Sequence, residues 1–161
     1  MSHADTPADP VEPTAPTADT AGRGGGRGVR AIALVMIIAG AVFTVGGVVA
    51  YVAVHQTLAD QKIVVADDAD MLAGKDVGGP LTAYAQAMVI GKHAKEIGKG
   101  KTYAELPQDD PNRDTVMTAS FLQASLFTSV VAFGVSAMAA VLGILLILVG
   151  WALRRLDPKT T

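Results

Sequence analysis

The sequence predicts an all-α membrane protein, namely a two-helix transmembrane hairpin with a small α-rich extracytoplasmic segment and a disordered N-terminal tail. Three observations predict this fold class. Two long runs carry no charged residue, basic residues flank the outer ends of both runs, and the start of the chain is rich in proline and glycine. Of the 161 residues, 50% are hydrophobic and only 17% are charged, which is too apolar for an ordinary soluble domain.

The two uncharged runs are long enough to cross a membrane as helices. The first, Ala31–Val54, has 24 residues, and a helix of that length reaches about 36 Å against a hydrocarbon core of about 30 Å. The second, Thr115–Leu153, is longer, lacks proline, and is most apolar over Val130–Leu153. Neither run alternates with a period of two, so helices are predicted and not barrel strands. The first run exceeds the ~7–15 apolar residues of a cleaved signal peptide, so we expect it to be retained.

Basic residues at the outer ends of the two runs predict the orientation. Lys and Arg close to a membrane end favour the cytoplasmic side. Both termini are therefore predicted to be cytoplasmic in the plasma membrane, and the segment between the runs extracytoplasmic. Most lysines of that segment lie in its middle, away from both membrane ends. The topology-setting residues are Arg23, Arg27, Arg30, Arg154, Arg155 and Lys159.

The tail before the first run is predicted to be disordered. Prolines recur at every third position from Pro7 to Pro16, which favours polyproline II character, and a ligand for a PxxP-binding domain is the alternative interpretation. The glycine- and arginine-rich stretch Gly22–Arg30 then reaches the membrane. Contact with lipid headgroups explains its arginines with fewer assumptions than RNA binding, so no nucleic-acid partner is predicted.

These features divide the chain into five predicted parts. They are a disordered cytoplasmic tail (1–30), transmembrane helix 1 (31–54), an extracytoplasmic segment (55–115), a long helix (116–153) that includes transmembrane helix 2 (about 130–153), and a cytoplasmic tail (154–161).

Small residues recur at helical spacing along both runs. Such residues let helix backbones approach closely, which is how membrane helices associate. The two helices are therefore predicted to pair, either as a hairpin within one chain or between copies. The candidate packing residues are Gly40, Thr44 and Gly47 in the first run and Ala132, Ser136, Ala140 and Gly143 in the second.

The extracytoplasmic segment contains one clear helix signal. Pro80–Gly98 is predicted to be a helix that ends at glycine. Lys62–Ala66 is a candidate short strand. The apolar face of the predicted helix carries Leu81, Tyr84, Ala85 and Met88.

Two further patterns predict helix starts after that helix. Thr102–Glu105 has the spacing of a capping box, and Asp110-Pro111 fits an N-cap followed by proline at the first helical position. A helix from there to Arg155 would be roughly 60–70 Å long. The second long helix is therefore predicted either to protrude from the membrane by several turns or to bend near Gly134.

Four stretches carry a family resemblance. They are TLADQKIVVADDA, GPLTAYAQA, KTYAEL and RDTVMTASFLQASLFTSVVAFGV, in this order, between about His55 and Arg155. Together they resemble an actinobacterial family of small two-pass membrane proteins. Members of this family are often labelled aromatic ring-opening dioxygenases. The resemblance implies the membrane hairpin and brings no activity with it.

The residues themselves predict no catalytic, cofactor-binding or metal site. A dioxygenase commonly holds Fe(II) with two histidines and a carboxylate, whereas this chain has only His3, His55 and His93, the first in the tail. The acidic cluster Asp67–Asp70 departs from an EF-hand loop, because Leu72 stands where a third oxygen ligand is needed. The sequence has no cysteine, P-loop, dinucleotide-binding fingerprint or HExxH motif. No cofactor is therefore expected.

We expect a non-enzymatic membrane protein that acts by interaction, as an accessory subunit, assembly factor or scaffold of the cell envelope. Neither predicted membrane helix contains an ionisable side chain, which argues against a self-contained pump or transporter. The expected partners are the lipid bilayer and either a membrane-protein partner or further copies of the chain. The alternatives are the iron-dependent dioxygenase of the family label and a homo-oligomeric pore.

Overall fold

The computed structural model describes residues 25–156, which form three helices and no β-strand. α1 spans Gly25–Asp60, α2 spans Pro80–Ile97 and α3 spans Arg113–Arg155. Both α1 and α3 are long and apolar enough to cross a membrane. The predicted all-helical class is thus confirmed for the described residues. Most of the predicted disordered tail (1–24) and the last residues (157–161) lie outside them, and the remaining residues of that predicted tail, 25–30, are the first residues of α1.

α1 and α3 lie side by side and run in opposite directions. As the residue numbers rise along α1, the numbers of the residues it contacts fall along α3. The connecting segment, residues 61–112, joins the two helices and includes α2. The contacting pairs, in order along α1, are Ala33 with Gly150, Gly40 with Gly143, Gly47 with Ala140 and Tyr51 with Phe133.

Glycines bring the two helix backbones into direct contact. A Cβ atom added to Gly40 would lie 2.5 Å from the carbonyl oxygen of Gly143, and one added to Gly47 would lie 2.6 Å from the carbonyl oxygen of Ser136. The obstructing atoms belong to the backbone, so a larger residue would have to move a whole helix. Gly46, the neighbour of Gly47, differs, because a Cβ added there meets nothing within 4 Å.

α2 packs against the first part of α3 through its smallest side chains. Close approach of α2 to α3 is also visible at Gly91, where an added Cβ would collide with the side chain of Gln123. On the predicted apolar face, Leu81 and Met88 point away from this contact, with 68% and 49% of their surface exposed, whereas Tyr84 contacts Phe127 of α3. The buried residues of α2 are Ala83, Ala85, Ala87, Val89 and Ala94.

α3 is one uninterrupted helix of 43 residues, or about 64 Å. It continues through Gly134, where an added Cβ would meet nothing within 4 Å. Residues 113–129 precede the most apolar part of the helix, and Leu126 in that portion packs in a core with Val65, Val77 and the alanines of α2. One helix therefore supports both the α1–α3 pair and the connecting segment.

α3 begins slightly later than the sequence pattern predicts. Its N-cap residue is Asn112 and not Asp110. The Oδ1 atom of Asp110 accepts a hydrogen bond of 2.8 Å from the backbone N–H of Asn112, so Asp110 forms a turn ahead of the helix. The Arg113 guanidinium donates hydrogen bonds to the carbonyls of Tyr103 and Leu106, which ties the preceding loop to the helix start.

Two other predicted local features form only in part. The candidate strand Lys62–Ala66 forms only one antiparallel bridge, between Val64 and Asp76, with a few backbone hydrogen bonds beside it. The N–H and hydroxyl of Thr102 both donate to the carboxylate of Glu105 at 2.8 Å, as in a capping box, but this stretch is a turn and not a helix. These hydrogen bonds lower the pKa of Glu105.

The glycine contact predicts different stabilities for two variants with adjacent substitutions, Gly47→Ala and Gly46→Ala. Gly47→Ala should lower the free energy of unfolding by about 1–3 kcal/mol relative to Gly46→Ala, because only the former drives a methyl group into the backbone of α3. Both changes gain about the same helix propensity, so their difference isolates the packing. Thermal unfolding in a mild detergent, followed by circular dichroism, measures it. Equal stability of the two variants would contradict the contact.

Candidate functional site

Six of the seven predicted packing residues, all except Ala132, meet at the α1–α3 contact. A Cβ added to Gly143 would collide with the side chain and backbone of Thr44 and with the carbonyl of Gly40. The hydroxyl of Thr44 donates to the carbonyl of Gly40 at 2.8 Å, and that of Ser136 donates to the carbonyl of Ala132 at 2.7 Å. Each hydroxyl is thus satisfied within its own helix, and the contact between the helices is one of close packing.

Four of the six predicted topology-setting residues lie at one end of the α1–α3 pair. Arg27 and Arg30 lie at the start of α1, and Arg154 and Arg155 lie in the last turn of α3. The antiparallel arrangement brings these two ends together. The guanidinium of Arg155 stacks over the ring of Trp151, 3.9 Å from its centroid. The remaining two residues, Arg23 and Lys159, lie outside the described range.

A large groove opens at the opposite end of the pair, where α1 enters the connecting segment. We call it the junction groove, and its volume is about 1200 Å³. It has an apolar side and a polar rim, both contributed by α1, the loop and the start of α2. The main apolar lining residues are Tyr51, Val52, Ile63 and Leu81. The polar lining residues are His55, Lys62, Asp76 and Thr82.

A Gly-Gly-Pro sequence before α2 shapes this groove. The Nδ1 atom of His55 hydrogen-bonds to the carbonyl oxygen of Gly78, which joins the start of α2 to α1. A Cβ added to Gly78 would lie 3.0 Å from the His55 ring, so glycine leaves space for the imidazole. Thr82 Oγ1 accepts a hydrogen bond of 3.1 Å from the N–H of Gly79, and Pro80 occupies the first turn. The start of α2 is therefore held against α1 on one side of the groove.

Two opposite charges line the junction groove without a partner among the described residues. Neither the Lys62 ammonium nor the Asp76 carboxylate forms an ion pair or a side-chain hydrogen bond within residues 25–156. Lys62 follows the end of α1 and has a left-handed backbone conformation with φ of 52°. Asp76 pairs with Val64 only through the backbone bridge. Both charged groups are thus free to meet a ligand.

A second, smaller groove lies on the outer side of α2. We call it the methionine groove; its volume is about 240 Å³, and Met71, Tyr84 and Met88 provide its large apolar side chains. The charged residues Asp68, Asp70 and Lys92 line the same groove. The ring of Tyr84 meets that of Phe127 of α3 edge to face, with centroids 5.9 Å apart. Methionine adapts to many partner shapes, which suits a binding surface.

Asp68 fastens the acidic loop to α2. Its Oδ2 atom accepts a hydrogen bond of 2.7 Å from Nε2 of His93, and the ammonium of Lys92 lies 3.8 Å away. The hydrogen bond from His93 is the main cause that lowers the pKa of Asp68, and the charges of His93 and Lys92 act in the same direction. The Gln86 side chain also accepts a hydrogen bond from the backbone of Ala66. The loop is therefore held on α2.

The described residues do not form the iron site that the family label implies. His55 is bonded to a backbone carbonyl and His93 to Asp68, so the two histidines have separate partners. Within residues 25–156, no three His, Cys, Asp or Glu side chains lie close enough together to hold a metal ion. Two histidines and a carboxylate are thus not brought together in this part of the chain.

Comparisons of this chain with family models, with curated proteins and with solved structures find no match. The function proposed for this chain therefore rests on the geometry described above. Sequence reasoning missed the junction groove because its lining residues come from α1, the loop and the start of α2, and only folding brings these three parts together. The one local signal was the Gly-Gly-Pro sequence before α2, which marks a tight approach of the backbone to another element.

The Asp68 contact predicts a pH-dependent contribution to stability. Because the folded state lowers the pKa of Asp68 below its ordinary value of 3.8, the contribution is present above that value and is lost as the pH falls through the lowered pKa. Asp68→Asn should therefore destabilise the protein at neutral pH, and its difference from the wild type should shrink below pH about 4. Denaturant unfolding at several pH values measures this.

Asp67→Asn is the matched control, because it changes an exposed neighbouring carboxylate in the same loop. The wild type and this variant should keep a constant difference over the same pH range. An Asp68→Asn difference that is equally constant would contradict the assigned role of the His93 contact.

Proposed function

We propose that this chain is a two-pass protein of the plasma membrane that acts by binding another membrane protein through its connecting segment, and not by catalysis. The observation that carries the proposal is the wide exposure of apolar side chains around α1 and α3. In the most apolar window of each helix, only 17% of the residues are buried. The core helix of a soluble protein is mostly buried, so these helices need another apolar environment, which a bilayer supplies.

The arrangement of the arginines supports an orientation with both ends cytoplasmic. Arg27 and Arg30 lie at the same end of the helix pair as Arg154 and Arg155. Basic residues beside membrane ends favour the cytoplasmic side, and here both helices agree. Stacking of Arg155 on Trp151 places an aromatic ring and a cation together, as is typical of a membrane interface. The connecting segment then lies on the extracytoplasmic side.

The methionine groove is the surface that we propose for the partner. It combines Met71, Tyr84 and Met88 with charged residues at its edge, and methionine and tyrosine are enriched in protein interfaces. Met71 and Met88 are not needed for the packing of α2 on α3, because alanines fill most of that contact and Tyr84 adds only its edge-to-face contact with Phe127. Large apolar side chains that the fold leaves exposed are therefore available to a partner.

The position of this groove favours a membrane protein as the partner. Tyr84 contacts Phe127, which precedes Val130, the start of the most apolar part of α3, by three residues. Three residues of helix correspond to about 5 Å, so the groove lies close to the proposed membrane surface. An apolar side chain presented just above the bilayer by a neighbouring membrane protein can reach it. A second copy of this chain is the competing occupant.

The proposed orientation predicts the accessibility of introduced thiols. The chain has no cysteine, so each introduced cysteine is the only one. In intact cells, a membrane-impermeant thiol reagent should label Glu96→Cys in the connecting segment and should not label Ser2→Cys or Thr160→Cys near the ends. All three should be labelled after the membrane is permeabilised. Labelling of either terminal variant in intact cells would overturn the proposed orientation.

The proposed partner surface predicts site-specific crosslinking. A photoreactive amino acid in place of Met88 should give a discrete crosslinked protein in native membranes, because this position is half exposed within the groove. The same amino acid in place of Glu96 is the matched control on the same helix, and it should give little of that product. Mass spectrometry then identifies the product. Crosslinks to this chain alone would favour self-association, and equal products from both positions would contradict the assigned surface.

A further inference from the structure

The junction groove lies at the level where a bilayer would present lipid headgroups, if the chain is inserted as proposed. The uncharged run ends at Val54, and α1 continues to Asp60 before Lys62 follows. Lys62 therefore lies about 9–12 Å beyond Val54 along the helix. The headgroup region of a bilayer adds about 5–8 Å on each side of the hydrocarbon core. A lysine side chain can reach back over this difference toward the phosphates.

The apolar side of the groove continues the exposed face of α1 toward the bilayer. Tyr51 and Val52 line the groove, and Val48 and Val49 extend the same helix below it with more than half of their surface exposed. Leu81, at the start of α2, is 68% exposed beside them. An acyl chain that covers this part of α1 in the bilayer can therefore pass directly into the groove. Continuity of this kind favours a lipid over a soluble ligand.

The two unpaired charges restrict which lipid fits. Lys62 offers a cation and Asp76 an anion in one groove, and the two form no ion pair with each other in this structure. A headgroup that carries both a phosphate and a primary ammonium complements both, because the N–H groups of a primary ammonium donate hydrogen bonds to a carboxylate and a quaternary ammonium has none to donate. A headgroup with a phosphate but no ammonium would leave Asp76 facing a like charge, which is unfavourable.

We propose that the junction groove binds one aminophospholipid, whose phosphate meets Lys62, whose ammonium meets Asp76 and whose acyl chain lies against Tyr51, Val52 and Leu81. The inference rests on the proposed membrane insertion. His55 has a supporting role, because its hydrogen bond to Gly78 holds the wall that carries Leu81 beside α1. The bound lipid would fill the space between the end of α1 and the start of α2.

The test uses the full chain in nanodiscs made from equal amounts of phosphatidylethanolamine, phosphatidylglycerol and phosphatidylcholine. The protein is then extracted into a mild detergent, purified, and analysed by mass spectrometry for the lipid that it retains. The wild type should retain phosphatidylethanolamine in preference to the other two. Native mass spectra should show one bound lipid per chain.

Two variants test the contributions of Lys62 and Asp76 to lipid binding separately. Lys62→Gln should reduce retention of both phosphatidylethanolamine and phosphatidylglycerol by about fivefold, the change expected from one lysine near an anionic lipid. Asp76→Asn should reduce retention of phosphatidylethanolamine but not of phosphatidylglycerol. Lys75→Gln, an exposed lysine of the same segment outside the groove lining, should match the wild type. Circular dichroism confirms that each variant is folded.

Other outcomes would overturn either the lipid site alone or both the lipid site and the proposed membrane insertion. Insertion into the discs without preference for phosphatidylethanolamine, or with both charge variants equal to the wild type, overturns the lipid site and leaves the membrane proposal intact. A chain that stays out of the discs overturns both. If native spectra show paired chains, and Ala59→Trp in the groove separates them, the occupant is a second copy and not a lipid.

Discussion

Direct contact between the backbones of α1 and α3 is the constraint on which the rest of the structure depends. Gly40, Gly47 and Gly143 leave no space for a side chain between the helices, so the register of one helix on the other is fixed. That register brings the basic ends together and sets Tyr51 beside Phe133 at the other end. The α1–α3 contacts therefore hold the end of α1 against α3 independently of the contacts that the connecting segment adds.

The position of the connecting segment depends on the small residues of α2 and on the length of α3. Alanines let α2 approach the first part of α3, and the larger Leu81 and Met88 are left on the outside. Because α3 extends well beyond its most apolar part, it supplies the surface that this short segment needs. A segment of this size has little core of its own, and here it shares one with α3 through Leu126 and Phe133.

The sequence predicts the elements better than the sites. Two long uncharged runs predict two helices by length and composition, and Pro80 and Gly98 mark the limits of α2 closely. The prediction that Asp110 is the N-cap of α3 is wrong, because its carboxylate accepts a hydrogen bond from the N–H of Asn112 in a turn before the helix. The outward face of α2 was also not predictable, because a helix with alanines on one side and larger apolar residues on another can bury either.

Sites that join distant residues require the tertiary structure. Helical spacing alone was sufficient to single out Gly40, Thr44 and Gly47, because each lies on one side of its own helix. By contrast, the bond from His93 to Asp68 spans 25 residues, and Lys62 and Asp76 line the same groove only because the loop folds back and pairs Val64 with Asp76.

The continuity of α3 has a mechanical consequence. In a bilayer, a change of thickness alters the tilt of a membrane helix. Because α3 is uninterrupted and α2 packs on it, a change in this tilt would move α2 and the residues of both grooves that it carries. The thickness of the bilayer would then affect the position of the proposed partner surface.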